Sequence, residues 1–304
     1  MIPALLRRLS LASLLVVFFL NVAGANEALL KPFILGSRGP GTMAEKTALV
    51  KSALAAEGFT LAGEYMPYPE AIVIVATNDE LKSNAAKSKH GGFGAAVRVS
   101  VTMVKDEVQV AYTNPVYMAN VYRMQGDLTG VAARLAAALG NKESFGAKGL
   151  KAKKLRSYHY MFGMEYFDEP SVLAEYGSFE EAAAAVESGL SAGRGGVTKV
   201  YRIDVPEKKE AVFGVAMKGA TEADKYMDDK FIMSEIDFKE LRATAHLPYE
   251  ILVAGNKVYA LYARFRIASS FPDLSMMGSN SFMNIMKSPE AIRKALTRAA
   301  GGGK

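Results

Sequence analysis

One β-rich pattern occurs twice in this chain, and that recurrence limits what the chain can fold into. In the first instance Val97, Val99, Val101 and Met103 alternate with Arg98, Ser100 and Thr102. The chain turns at Asp106-Glu107 and returns through Val108, Val110 and Tyr112. Alternation at period two gives a strand one buried face and one polar face. The second instance lies within His246 to Gly278, HLPYEILVAGNKVYALYARFRIASSFPDLSMMG, and turns at Asn256-Lys257. Tyr262 stands 150 residues after Tyr112, and Glu210-Ala-Val-Phe-Gly-Val stands 140 residues after Glu70-Ala-Ile-Val-Ile-Val. Ten extra residues therefore enter the second copy, and the acidic stretch Asp224 to Leu241 accommodates them. Pairing Val131 with Ile292 and Leu135 with Leu296 puts eleven more around Ser275 to Lys287.

Read in order, each half is strand, helix, four strands, helix. Lys31 to Leu35 reads as the opening strand, and Thr42-Met-Ala-Glu45 as a capping box that starts a helix ended by Gly58. Strands are expected over Phe59 to Tyr65 and Ala71 to Thr77, a short helix from Asn78 to Ser88, and a closing helix over Leu128 to Leu139. Residues 141–157, rich in lysine, read as a solvated basic linker. Tyr158 to Phe167 then opens the second copy as an aromatic strand, and a second capping box begins at Ser178-Phe-Glu-Glu181. Strands follow over Thr198 to Val205 and Ala211 to Met217. Antiparallel hairpins with helices on one face predict an α+β class of two tandem two-layer units, 26–140 and 158–300, with a tail over 301–304.

The first 25 residues have the plan of a secretory signal: Arg7 and Arg8, an apolar run from Leu9 to Leu20, then Ala23-Gly24-Ala25, with cleavage expected after Ala25. This predicts a periplasmic or secreted protein. A chain of 304 residues suits two domains. With no cysteine, disulfides, a lipoprotein anchor and thiolate chemistry are excluded. No later run reaches ~18 apolar residues, so no transmembrane segment is expected after cleavage. The formal charge of +6 includes the two leader arginines, and the remaining basic residues cluster in the linker instead of a groove, which argues against a nucleic-acid partner.

Four stretches give the chain a family likeness: Gly58-Phe59, Glu70-Ala-Ile-Val-Ile-Val, the glycines from Gly91 to Gly94, and Val108-Gln-Val-Ala-Tyr-Thr-Asn-Pro115. Through them the chain resembles family 302 of the domains of unknown function, covering residues 42 to 140 well and 178 to 300 more weakly. The resemblance implies a TATA-binding-protein-like β-α-β4-α plan and a tendency to pair, with no settled activity. The second copy departs from it by two insertions and by Arg264 where the first has Asn114.

Candidate chemistry is sparse. His90, His159 and His246 lie in no hydrolase or metalloprotease pattern, and His90 and His246 read as loop residues. Glu222, Asp224, Asp228 and Asp229 lack the calcium-loop spacing and read as a polar helix face. Tyr262, Arg264 and Arg266 are expected on the polar face of the last strand, where arginines suit a carboxylate or phosphate. Tyr112 and Asn114 hold the matching places in the first copy and complete this ligand-binding set. The soft donors His159, Met161, Met276, Met277, Met283 and Met286 could take Cu(I), although methionine also fills irregular gaps. The leading expectation is non-enzymatic binding of a small ligand or a partner protein, at the interface of the halves or beside the second insertion, with no cofactor specified. Copper handling, and an enzyme around Tyr262, Arg264 and Arg266, are the alternatives.

Overall fold

The computed structural model describes residues 28–303, so the leader expected over residues 1–25 lies outside the described residues. The chain is α+β, with two antiparallel sheets and their helices. It begins with β1 (Phe33–Gly39), α1 (Met43–Ala56), β2 (Thr60–Tyr68), β3 (Ala71–Thr77) and α2 (Asp79–Lys87). Next come β4 (Val97–Val104), β5 (Glu107–Thr113), α3 (Pro115–Val121), α4 (Thr129–Leu139), β6 (Glu143–Phe145) and α5 (Ala152–Arg156). The remainder is β7 (Ser171–Glu175), α6 (Phe179–Ser191), β8 (Val197–Val205), β9 (Glu210–Met217), α7 (Asp229–Ile236), β10 (Tyr249–Ala254), β11 (Lys257–Ala260), α8 (Ala263–Ser270) and α9 (Ser288–Ala299). Among the described residues no helix is long and apolar enough to cross a membrane.

Local chemistry sets the element ends. At α1 the Thr42 hydroxyl accepts the Glu45 N–H at 3.2 Å, and the Glu45 carboxylate accepts the Thr42 N–H at 3.0 Å, so both orphan donors are satisfied. At α6 the Ser178 hydroxyl accepts the Glu181 N–H at 3.1 Å, while the Glu181 carboxylate reaches one residue further back, to the Gly177 N–H at 3.0 Å. Asn114 caps α3, its side-chain oxygen accepting the Val116 N–H, and Pro115 fills the first helical position where no N–H is needed.

The first sheet runs β2-β3-β4-β5-β1-β6 and the second β8-β9-β10-β11-β7; every neighbouring pair is antiparallel. Helices α1 and α4 cover one face of the first sheet, where Val50, Leu54, Val131 and Leu135 meet Val97, Val99 and Val101. Helices α6 and α9 cover the second, where Val186, Leu190, Ile292 and Leu296 meet Tyr249, Ile251 and Val253. The other two sheet faces meet each other. At Gly63 of β2 the approach is so close that a Cβ would lie 2.3 Å from the Val200 carbonyl oxygen of β8, which is why that place has no side chain. The layers therefore run helix, sheet, sheet, helix, and the polar face of β4 is sealed inside, with Arg98, Ser100 and Thr102 all buried.

Three expectations need correction. Residues 141–157 are not a solvated linker: β6 pairs with β1 through Phe33 and Phe145, and Leu155 of α5 is fully buried. Residues Tyr158 to Phe167 form turns, not a strand, and β7 opens at Ser171 instead. The last strand stops at Ala260, and Tyr262, Arg264 and Arg266 belong to the start of α8, not to a polar sheet face. That stretch carries Phe265 and Ile267 at period two but also Leu261, Phe265 and Ala268 at helical spacing, and in a short apolar run periodicity alone does not choose.

Candidate functional site

The centre of the molecule is ionic. Glu250 of β10 accepts from Arg98 of β4 and from Arg266 of α8, whose Nε donates to Glu250 Oε2 at 3.0 Å. All three side chains are almost completely buried. Arg98 Nε also donates to the Ala245 carbonyl at 3.1 Å, and Arg266 Nη2 donates to the carbonyls of His246 and Pro248, both at 2.7 Å. Burial alone would lower the Arg266 pKa, but Glu250 together with Tyr122 and Tyr249 outweighs it and the guanidinium is held above its ordinary value. His246 packs against the same group, with Nδ1 at 3.3 Å from Arg266 Nη1 and Nε2 at 3.2 Å from the Tyr249 hydroxyl. A guanidinium only donates, so Nδ1 must be the acceptor and Nε2 carries the proton. Burial, with Arg266 and Arg98 adding to it, pushes His246 well below its usual pKa and keeps it neutral.

Beside this centre lie two buried acids. Asp229, the first residue of α7, accepts the Met217 N–H at 3.0 Å and the Tyr65 hydroxyl at 3.3 Å through one oxygen, while Oδ1 has no partner. Burial raises its pKa to about 8, against the opposing bond from Met217, so it is neutral at pH 7 with its proton on the unpartnered oxygen. Asp229 is thus no part of a polar helix face; Asp228 instead caps α7 through the Phe231 N–H. Asp237 accepts the Ala243 N–H at 2.6 Å and the Thr244 hydroxyl at 2.8 Å, and burial lifts it to about 6. Thr244 continues the chain of hydroxyls to Tyr68 at 3.2 Å and Thr102 at 3.3 Å.

Asp237 separates two cavities. The larger, about 400 Å³, is lined by Phe145 from the end of β6, by Ile236, Phe238 and Leu241 after α7, and by Phe271 and Leu274 after α8. Ser275, Ser279 and Asn280 of the second insertion form part of its rim. The volume and apolar walls are those of a small-molecule site. Lys239, Glu240 and Asp273 supply charge there; Glu240 is paired with Arg38, and Asp273 accepts the Lys148 N–H at 2.7 Å. The second cavity, about 280 Å³, mixes Tyr68, Glu70, Thr102, Lys230 and Arg242 with Met103 and Met233 in its lining.

The residues expected to bind a ligand are not brought together as an open set. Tyr112 is buried and donates to the Gly140 carbonyl at 2.9 Å; burial raises its pKa to about 12. Asn114 is occupied as the α3 cap and donates to the Lys31 carbonyl at 2.9 Å. Arg264 pairs with Glu165 and lies over the Tyr262 ring at 5.8 Å, while Arg266 belongs to the buried centre. Of the soft donors, His159 Nδ1 contacts the Met161 carbonyl oxygen at 2.9 Å, and its ring lies against Tyr166. Tyr160 donates to the sulfur of Met276 at 2.6 Å, so the 158–167 turns and the methionine insertion are neighbours. Phe145, Ile236, Phe238 and Leu241 were absent from the sequence candidates. Their only signal was large apolar residues inside stretches otherwise rich in charge. No protein-family model, no curated protein and no solved structure matches this chain.

Proposed function

We propose that this is an exported, non-enzymatic binding protein of two tandem units that takes a small ligand with an apolar body in the larger cavity. The observation that carries the reading is that cavity: about 400 Å³, apolar, and walled by Phe145 of edge strand β6 together with the end of α7 and the segments that follow α7 and α8. The tandem part rests on strand order, since both sheets place the second, third, fourth, fifth and first strands of their halves side by side. On that arrangement we also carry forward the likeness to family 302 of the domains of unknown function. Export rests on Arg7, Arg8, the run Leu9 to Leu20 and the Ala23-Gly24-Ala25 triplet. Lys239, exposed and with no ion pair among the described residues, shares the lining with Asp237 and Asp273, so the apolar walls rather than charge select the ligand.

Ser279→Trp tests the reading. The chain has no tryptophan, so the new indole both fills the cavity mouth and reports on it by fluorescence. The expected result is that the parent protein binds the anionic apolar probe anilinonaphthalene sulfonate at one site and the variant loses that site with unchanged circular dichroism. Native mass spectrometry of the exported parent should show a copurified small molecule that the variant lacks. Equal probe binding by both proteins would sink the proposal.

A further inference from the structure

We propose that Met276, Met283 and Met286, on the insertion between α8 and α9, form a Cu(I) site. Backbone geometry gathers the three. The Phe282 N–H donates to the Ser275 carbonyl at 2.8 Å and the Met283 N–H to the Met276 carbonyl at 3.2 Å, which fixes Met276 and Met283 side by side. Residues Phe282–Ile285 form a 3-10 turn closed by the Met286 N–H on the Met283 carbonyl at 3.3 Å. In such a turn side chains three residues apart eclipse one another, so the Met283 and Met286 thioethers stand on the same side.

Core packing does not account for these side chains. Met276, Met283 and Met286 are 38%, 48% and 57% exposed, and neighbouring Met277 is 73% exposed. A methionine that fills a gap is covered, and these residues of one short loop are not. The Met276 sulfur is already used as an acceptor, by the Tyr160 hydroxyl at 2.6 Å.

The donor chemistry selects the metal. Thioethers are soft, neutral and not protonated at any ordinary pH, and they favour Cu(I) over zinc, manganese or magnesium. Among the described residues no group of three or more His, Asp or Glu could hold a metal, and the chain has no cysteine, so a harder ion has no rival site here. Local charge is balanced. Asn284, within the same turn, donates to Glu235 at 2.7 Å and holds a carboxylate beside the loop. The adjacent ammonium of Lys287 lies over the Tyr226 ring at 5.3 Å. No redox step is implied, because the ion is taken up as Cu(I).

The test is an anaerobic titration of the folded chain against a colorimetric Cu(I) chelator. The parent is expected to withdraw one Cu(I) per chain. Met283→Leu with Met286→Leu should weaken that withdrawal by about 10-fold or more, and adding Met276→Leu should abolish it. Leucine keeps the volume and helical tendency of methionine, so folding should be retained. Met66→Leu, a change at an exposed methionine on β2, should leave the titration as it was. The proposal is overturned if the parent does not compete with the chelator, or if the triple leucine variant competes equally well.

Discussion

Glu250→Gln is expected to destabilise the fold by about 3–5 kcal/mol, the usual cost of removing one partner from a buried ion pair. The substitution preserves shape and leaves two guanidinium groups, Arg98 and Arg266, buried without a counter-charge. Neither can escape by losing its proton, because arginine stays charged and Arg266 is held above even its ordinary pKa. The carbonyls of Ala245, His246 and Pro248 would still accept hydrogen bonds, but they carry no net charge. Arg38→Met is the comparison: its pairs with Glu107 and Glu240 lie at the surface, and their loss should shift the unfolding midpoint far less than Glu250→Gln does. Urea unfolding followed by circular dichroism reads both changes. If Glu250→Gln unfolds within about 1 kcal/mol of the parent, the centre does not act as an obligate ionic unit.

That centre explains why the sheets stay together although the faces between them are not uniformly apolar. Arg98 comes from the first sheet and Glu250 from the second, so the pair can form only in one register of sheet on sheet. Hydrophobic packing alone would tolerate sliding; a buried charge pair does not, because a misplaced partner leaves a charge unsatisfied. Gln109 acts the same way one strand over, donating to the Glu240 carbonyl at 2.9 Å and accepting the Arg242 N–H at 3.1 Å. The loop between Asp237 and Arg242, which walls the larger cavity, is thereby tied to the first sheet.

What was legible in the sequence was local. The Thr42 and Ser178 caps and the alternation of Val97 to Met103 are short-range signals, and the elements stand where those signals put them; both hairpins turn one residue earlier than read, at Lys105-Asp106 and Gly255-Asn256. β3 matches its expected bounds, Ala71 to Thr77. What failed was non-local. Lys-rich composition masked the Glu143 to Phe145 strand, because an edge strand is decided by the β1 backbone it meets and not by its own propensity. Arg98 and Arg266 looked like surface residues, since only Glu250, distant in sequence, makes their burial tolerable. The cavity was invisible for the same reason: Phe145, Phe238 and Phe271 share a wall only after both sheets are built.

Between pH 6.5 and 8 the parent protein is expected to lose about 1 kcal/mol of stability, and Asp229→Asn to lose none of it. The sign follows from proton counts. The Asp229 pKa rises from 3.8 in the unfolded chain to about 8 in the fold, so across that range the native state holds a proton that the unfolded state has released. Stability from this group is fully present below pH 3.8 and declines as pH climbs toward 8. Asp237, raised to about 6, adds a decline of the same sign that is finished by then. His246 acts in the opposite sense: its folded pKa is depressed, so its contribution is complete only about a unit above 6.5 and is lost as pH falls through that value. The buried tyrosines Tyr65, Tyr68 and Tyr249 are raised from 10 and do not enter the window. His90, also depressed by burial, acts in the same sense as His246, and together they return at most about 1 kcal/mol as pH rises through the window, so Asp229 supplies the decline there. Asparagine reproduces the protonated acid, with an oxygen for the Met217 N–H and Tyr65 hydroxyl and an NH2 where Oδ1 has no partner. Asp229→Asn should therefore match the parent at pH 6.5, exceed it at pH 8 and show no decline between them by urea unfolding. A variant that keeps the parent's slope across this window would place the titrating group elsewhere.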